Sequence, residues 1–266
     1  MDFALLFLVG LLAGLHSACW GAFKDSAYEG FGFFKFARGI FFGMLSALGS
    51  FILLSVMNIN SLNLGVFFGF AVLAERALTE FIKAYVRTEP QEKYMIPSRV
   101  QLLGRVVKKG INRIVIGFVF TMSFILFSLF VLSMKELSIL RWPFNGIFFG
   151  FLGGFLMALG GCLKDAPFEG FSLLKFTRSP LIGLLAGILL SSLAANYGVI
   201  MLSSMGVERM ATEAYKTFIK KGVPGKFKAE KPLHKEWIAK RSIFIYPYLA
   251  TWLAFLFSFS FSIVLY

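Results

Sequence analysis

Two charged phrases hold most of the side chains that could do chemistry in this chain, and each occurs twice. The first, GAFKDSAYEGFGFFKFARG from Gly21, returns as GCLKDAPFEGFSLLKFTRSP from Gly161. At an offset of 140 it aligns Lys24 with Lys164, Asp25 with Asp165, Glu29 with Glu169, Lys35 with Lys175 and Arg38 with Arg178. The second, ERALTEFIK from Glu75, matches ERMATEAYK from Glu208 at an offset of 133. There Glu75 aligns with Glu208, Arg76 with Arg209, Glu80 with Glu213 and Lys83 with Lys216.

Residues of these types suit three chemistries unequally. Interleaved Lys and Arg, oriented by carboxylates, favour an anion, because charge-assisted donors bind phosphate and carboxylate oxygens strongly. We therefore expect Lys24, Lys35, Arg38, Arg76, Lys83, Lys164, Lys175, Arg178, Arg209 and Lys216 to meet an anionic solute or lipid phosphate. Asp25, Glu29, Glu75, Glu80, Asp165, Glu169, Glu208 and Glu213 are then the carboxylates of a charge network. Clustered carboxylates also attract hard divalent cations, but the basic residues between them argue against a metal site. A purely mutual ion-pair network is the third reading.

Enzymatic signatures are missing: HExxH, GxSxG, a Walker A loop and the paired Asp motif of membrane prenyltransferases do not occur. No catalytic residue and no cofactor is expected, with a lipid-phosphate enzyme as a distant alternative. EGFGFFKFARG faintly resembles a mitochondrial-carrier signature. That family is excluded, because there are two long copies rather than three and the Pro-x-acidic-x-x-basic motif is absent.

The elements that must position these charges are apolar helices. Of 266 residues, 58% are hydrophobic and the mean hydropathy is +0.76, against about 45–50% apolar residues in soluble domains. Runs such as 3–21, 114–134 and 243–266 reach the roughly 20 residues that a helix needs to cross a hydrocarbon core. The pattern predicts an all-α integral membrane protein with about eight membrane helices. They fall at 3–22, 40–57, 63–86 and 110–134, then 143–162, 180–194, 198–219 and 241–266. The duplicated phrases divide the chain into a first four-helix repeat, 1–134, a short external linker, 135–142, and a second four-helix repeat, 143–266. Residues 180–194 and 198–219 are short for full spans and are expected to tilt or re-enter. The N-terminus lacks the basic region of a signal peptide, so the run from Phe3 is expected to be a retained span.

With this layout, 25 of the 27 Lys and Arg residues fall on one side and only Lys135 and Arg141 on the other. Positive residues collect on the cytoplasmic side, so the basic loops are expected in the cytoplasm or its equivalent, with both termini opposite. Four spans per repeat make the repeats parallel in orientation. The net charge of +13 follows from this topology, and no soluble basic domain is present to bind nucleic acid. Asp25 and Asp165 are expected to cap short amphipathic helices that lie in the interface, aromatic side down. Glu75, Thr79 and Lys83, like Glu208, Thr212 and Lys216, are spaced i, i+4 for one helix face. Glycines at 10, 14 and 21 and at 150, 153, 154 and 160 suit close helix packing. Cys19 and Cys162 are not expected to form a disulfide framework or metal site, and the isolated His16 and His234 are expected to be structural or solvated.

Two functions fit. One is a pseudo-twofold permease, flippase or channel that handles an anionic solute or lipid phosphate at the charged side. The other is a non-catalytic membrane subunit that anchors or braces a larger complex. The expected partners are anionic membrane lipids, and other membrane subunits in the second case.

Overall fold

The computed structural model describes residues 3–59, 61–89, 91–92, 94–102, 105–134, 141–219, 227–228 and 233–264. The expected linker lies outside these except for 141–142, and so do Lys220 and most of the basic loop that follows it. Five helices are long and apolar enough to cross a membrane: α1 (Phe3–Glu29), α2 (Phe33–Val56), α4 (Gly110–Leu132), α5 (Phe144–Glu169) and α6 (Leu173–Ser191). An all-α bundle with these segments is consistent with an integral membrane protein.

Glycine sets the two tightest hairpins. α1 and α2 pack antiparallel, with Gly10 against Met44 and Ala47, Gly14 against Ile40, and Gly39 against Ala18. α5 and α6 do the same, with Gly146 against Gly187, Gly150 against Gly183, and Gly154 against Ser179. Small residues let helix backbones approach where apolar side chains would hold them apart. Of the glycines named above, Gly21 and Gly160 take no part, since a methyl group at either would meet nothing within 4 Å.

Between the hairpins lie α3 (Leu64–Phe81) and α7 (Tyr197–Ala214). Their apolar residues are buried all round, as Val66–Leu73 and Tyr197–Met205 show. A helix that is apolar on every side belongs in a core. The two run in the same direction: the Ser203 hydroxyl donates to the Val66 carbonyl at 2.9 Å, and Gly206 faces Gly69. A Cβ on Gly206 would lie 1.9 Å from the Gly69 carbonyl oxygen. Both helices continue into single π-helical turns, Ile82–Val86 and Tyr215–Ile219, segments that the offset of 133 superposes.

The short interfacial helices expected at Asp25 and Asp165 do not exist as separate elements. α1 runs through Asp25 to Glu29 and α5 through Asp165 to Glu169, so neither aspartate is an N-cap. Nothing breaks either helix before Gly30 and Gly170, which both adopt φ 75°. Glycine enters that left-handed region without the Cβ clash other residues suffer, which ends the helix. The chain then turns in three residues, and α2 and α6 start at once. α6 therefore begins seven residues earlier than expected and accommodates Pro180 inside it.

The count of eight spans is not confirmed. α3 and α7 carry Glu and Arg within their length and are enclosed by the other helices. α9 (Ile245–Ser258), preceded by α8 (Lys235–Lys240) and a 3₁₀ turn (Arg241–Phe244), has only 14 residues. That is about 21 Å, short of the roughly 30 Å of a hydrocarbon core. The expected final helix to 266 stops because β4 (Ser262–Val264) pairs antiparallel with β1 (Ser61–Asn63). Asn63 fixes this junction: its Oδ1 accepts from the Gly65 N–H at 2.9 Å, capping α3, while its Nδ2 donates to the Phe259 carbonyl at 2.9 Å. A further short ribbon, β2 (Gln101–Leu102) with β3 (Arg105–Val106), precedes α4.

These connections place 57–59, 61–63, 131–134, 192–198 and 259–264 at one end of the bundle. Asn196 ties two of the segments by donating to the Leu132 carbonyl at 3.0 Å. Among the described residues Arg141 is the one Lys or Arg at this end; the others gather at the opposite end.

Gly206→Leu is expected to prevent formation of the α3–α7 contact, with loss of monodisperse protein on size exclusion in detergent. Gly160→Ala, placed where space is open, should leave the midpoint of thermal unfolding unchanged or slightly raised. Equal behaviour of the two variants would contradict the packing described.

Candidate functional site

The second charged phrase is the buried heart of the charged end. Glu75, Arg76 and Glu213 are 1%, 5% and 1% exposed. Arg76 Nη2 donates to Glu213 Oε2 at 2.5 Å, joining α3 to α7, and Arg209 Nε lies 2.8 Å from Glu213 Oε1. Glu213 is thus held between two guanidinium groups, one from each half of the chain. Arg76 Nε is 3.6 Å from Glu75 Oε2, and Glu75 also accepts from the Ser17 hydroxyl and from Thr79 Oγ1 at 2.7 Å. Its counterpart Glu208 accepts from Thr212 Oγ1 at 2.6 Å. The i, i+4 spacing accounts for the Glu–Thr contacts, and Arg209 and Glu213 are likewise four residues apart on one helix.

Trp20 covers this cluster. Its Nε1 donates to Thr217 Oγ1 at 2.8 Å, and its ring faces the Arg76 guanidinium at 4.8 Å and the Lys24 ammonium at 4.3 Å. Cations over an indole face are attracted by its quadrupole. Outward from there, Glu80 takes Lys164 at 2.8 Å and Lys83 at 3.3 Å. Lys24 pairs with Asp25 at 3.3 Å. Glu29 receives Lys35 at 3.1 Å and Arg87 at 3.9 Å.

The first-half members of this network, with Arg209, line a cavity of about 150 Å³ at the charged end of α1, α2 and α3. Seven basic residues reach it, namely Lys24, Lys35, Arg38, Arg76, Lys83, Arg87 and Arg209, against the carboxylates Asp25, Glu29, Glu75 and Glu80. Two aromatic residues from distant loops close it. Tyr94 and Phe227 form a β-bridge, Phe227 stacks on Tyr28 at 5.4 Å, and Tyr94 bonds to Glu29 at 3.3 Å. The His234 backbone N–H donates to the Ala27 carbonyl at 3.0 Å, drawing the segment before α8 over the end of α1. Burial opposes the charge on Arg87, but its bonds to Glu89 and the nearby Tyr94 and Glu29 outweigh this and hold the guanidinium above its ordinary pKa.

The second half does not assemble the same way. Lys164 is spent on Glu80 of the first half, Lys175 pairs with Glu169 on the surface, and Lys216 is exposed. Arg178 lies over the Tyr215 ring at 5.3 Å. Asp165 Oδ1 has no hydrogen-bond partner among the described residues. The cavity is therefore one-sided: Arg209 is the only one of the expected second-half residues that lines it.

Sequence reasoning missed Ser17, Trp20, Tyr94 and Phe227. A Trp four residues before Lys24 was a usable signal; Tyr94 and Phe227 gave none, since loop residues meet only through the fold. His16, expected to be structural, is fully buried with Nδ1 3.1 Å from Thr251 Oγ1 and its ring 4.7 Å from that of Tyr248. Among the described residues no group of three or more metal-ligating side chains occurs. Comparison with protein-family models, curated proteins and solved structures found no match.

Removing one partner of a buried ion pair leaves an uncompensated charge and costs about 3–5 kcal/mol. Arg76→Met should therefore destabilise strongly, whereas Lys83→Met, at a half-exposed pair, should cost about 1 kcal/mol or less. Arg76→Met with Glu213→Met should cost less than the sum of the two single changes. Reversible unfolding in mixed micelles measures all of these, and strict additivity would contradict the Arg76–Glu213 contact.

Proposed function

We propose that the chain is a pseudo-twofold permease, flippase or channel, built from two parallel repeats, that handles an anionic solute or lipid phosphate at its charged end. The observation that carries this reading is the cavity beside α1–α3, whose basic residues outnumber its carboxylates and which abuts a charge network buried among apolar helices. Ionisable groups buried among membrane helices are costly and usually mark a pathway or binding site. The parallel course of α3 and α7 and the matching glycine turns at 30 and 170 support the repeat reading. The role is non-enzymatic, and the charged end lies in the cytoplasm or its equivalent by the positive-inside rule.

A second reading has its own support. Leu163, Phe171, Leu173 and Leu174 are 77%, 62%, 65% and 84% exposed beside Glu169 and Lys175. That apolar and charged face suits a membrane subunit that braces other chains.

Reconstituted in liposomes, the purified chain is expected to move an anion or scramble an anionic lipid, and Arg38→Gln should reduce the rate at least fivefold. Purification with stoichiometric partner chains, and no flux from the chain alone, would favour the bracing subunit instead.

A further inference from the structure

The geometry points to the first-half cavity as a binding site for a single phosphate group, held by Arg38 and the Ser26 hydroxyl, that the second half does not reproduce. The inference rests on the anion-handling reading and names both the ligand chemistry and the half that takes it.

Each carboxylate lining the cavity has at least one basic or hydroxyl neighbour, although Asp25 Oδ1, 3.3 Å from Lys24 Nζ, makes no hydrogen bond among the described residues. Asp25 has Lys24, Glu29 has Lys35 and Arg87, Glu80 has Lys83 and Lys164, and Glu75 has Ser17, Thr79 and Arg76. Arg76 and Arg209 serve Glu213. Arg38 stands apart: it lines the cavity, has the Phe42 ring at 5.8 Å, and makes no ion pair among the described residues, Glu89 attracting it only from beyond ion-pair distance. The charge left over in the cavity is therefore positive and sits on a guanidinium. Arg presents forked donors that match phosphate oxygens.

Ser26 supplies an independent sign. It is 2% exposed, lines the same cavity, and its hydroxyl has no hydrogen-bond partner among the described residues. A buried hydroxyl without a partner is costly, and an oxyanion in the cavity would accept from it. Phosphate satisfies both groups at once, because several oxygens accept while its charge answers Arg38. The cavity volume of about 150 Å³ has room for a phosphate group with part of what bears it. The exposed Phe33 and Phe34 beside the α1–α2 turn, 66% and 88% exposed, give a lipid-borne phosphate a place for its chains.

The second half has lost these features at matching positions. Ala166 replaces Ser26, Gly160 replaces Trp20 and Met157 replaces Ser17. Gly30 has the His234 ring against it, whereas a methyl group at Gly170 would meet nothing within 4 Å. Arg178 keeps the charge of Arg38 but has neither the hydroxyl nor the cover.

Binding of inorganic phosphate, and separately of phosphatidic acid, is to be measured by calorimetry on the full chain in phosphatidylcholine nanodiscs. One site per chain is expected. Arg38→Gln and Ser26→Ala should each weaken it about tenfold or more, the usual effect of losing a hydrogen bond to a charged group. Arg178→Gln should leave it within twofold, and Arg38→Lys should retain part of the affinity, while Arg38→Gln should elute as the wild type does on size exclusion, so that its loss is assigned to the charge. Saturable binding of inorganic phosphate identifies a free anion as sufficient; binding confined to phosphatidic acid identifies the lipid. Binding of neither, or equal weakening by Arg38→Gln and Arg178→Gln, overturns the inference. Flux without phosphate binding would overturn it while leaving the transport reading intact, and binding without flux would do the reverse.

Discussion

Burying a carboxylate among apolar helices costs several kcal/mol unless a counter-charge sits within hydrogen-bond reach, and Glu213 meets that demand with guanidinium groups from two different helices. Arg209 comes from its own helix and Arg76 from α3, 137 positions earlier in the chain. Because Arg76 cannot be left alone in the core either, the two central helices are pinned at one depth and one rotation. The close approach of Gly206 to Gly69 and the Ser203–Val66 bond lie along the same seam. The ion pair fixes the register that those contacts then fill.

Everything at the charged end is arranged around that seam. Trp20 lies over Arg76 and ties α1 to the π-helical turn after α7, and Lys164 crosses from α5 to Glu80, next to the π-helical turn after α3. With α1 and α3 held in this way, the carboxylates beside them are matched one by one, and the cavity opens where α1, α2 and α3 diverge. The cover made by Tyr94 and Phe227 forms only because both loops leave the bundle at this end. Asymmetry follows from the same bonds: second-half cations are drawn into the network of the first half, so the second half has fewer left to build a site of its own.

Much of this was legible in the chain itself. The duplicated phrases, the apolar runs and the segregation of Lys and Arg give the bundle and its charged end, since they depend on composition and period alone. The i, i+4 pairs such as Arg209–Glu213 are local, and spacing reveals them. The Arg76–Glu213 contact is not local, and nothing in the spacing says which carboxylate an arginine will choose. The continuity of α1 through Asp25 was obscured because Asp is a good cap, while the actual stop depends on the φ of Gly30. The early end of α9 was hidden for a similar reason: its apolar run continues, but backbone pairing of Ser262–Val264 with Ser61–Asn63 takes the chain out of the helix.

The most direct test is to locate a heavy phosphate analogue in the molecule. Crystals of the full chain soaked in tungstate and measured at the tungsten edge should show one anomalous peak, in the first-half cavity between Arg38 and Ser26. A peak at Arg178 of comparable height, or none in the cavity at saturating tungstate, would contradict the assignment of the anion site to the first half.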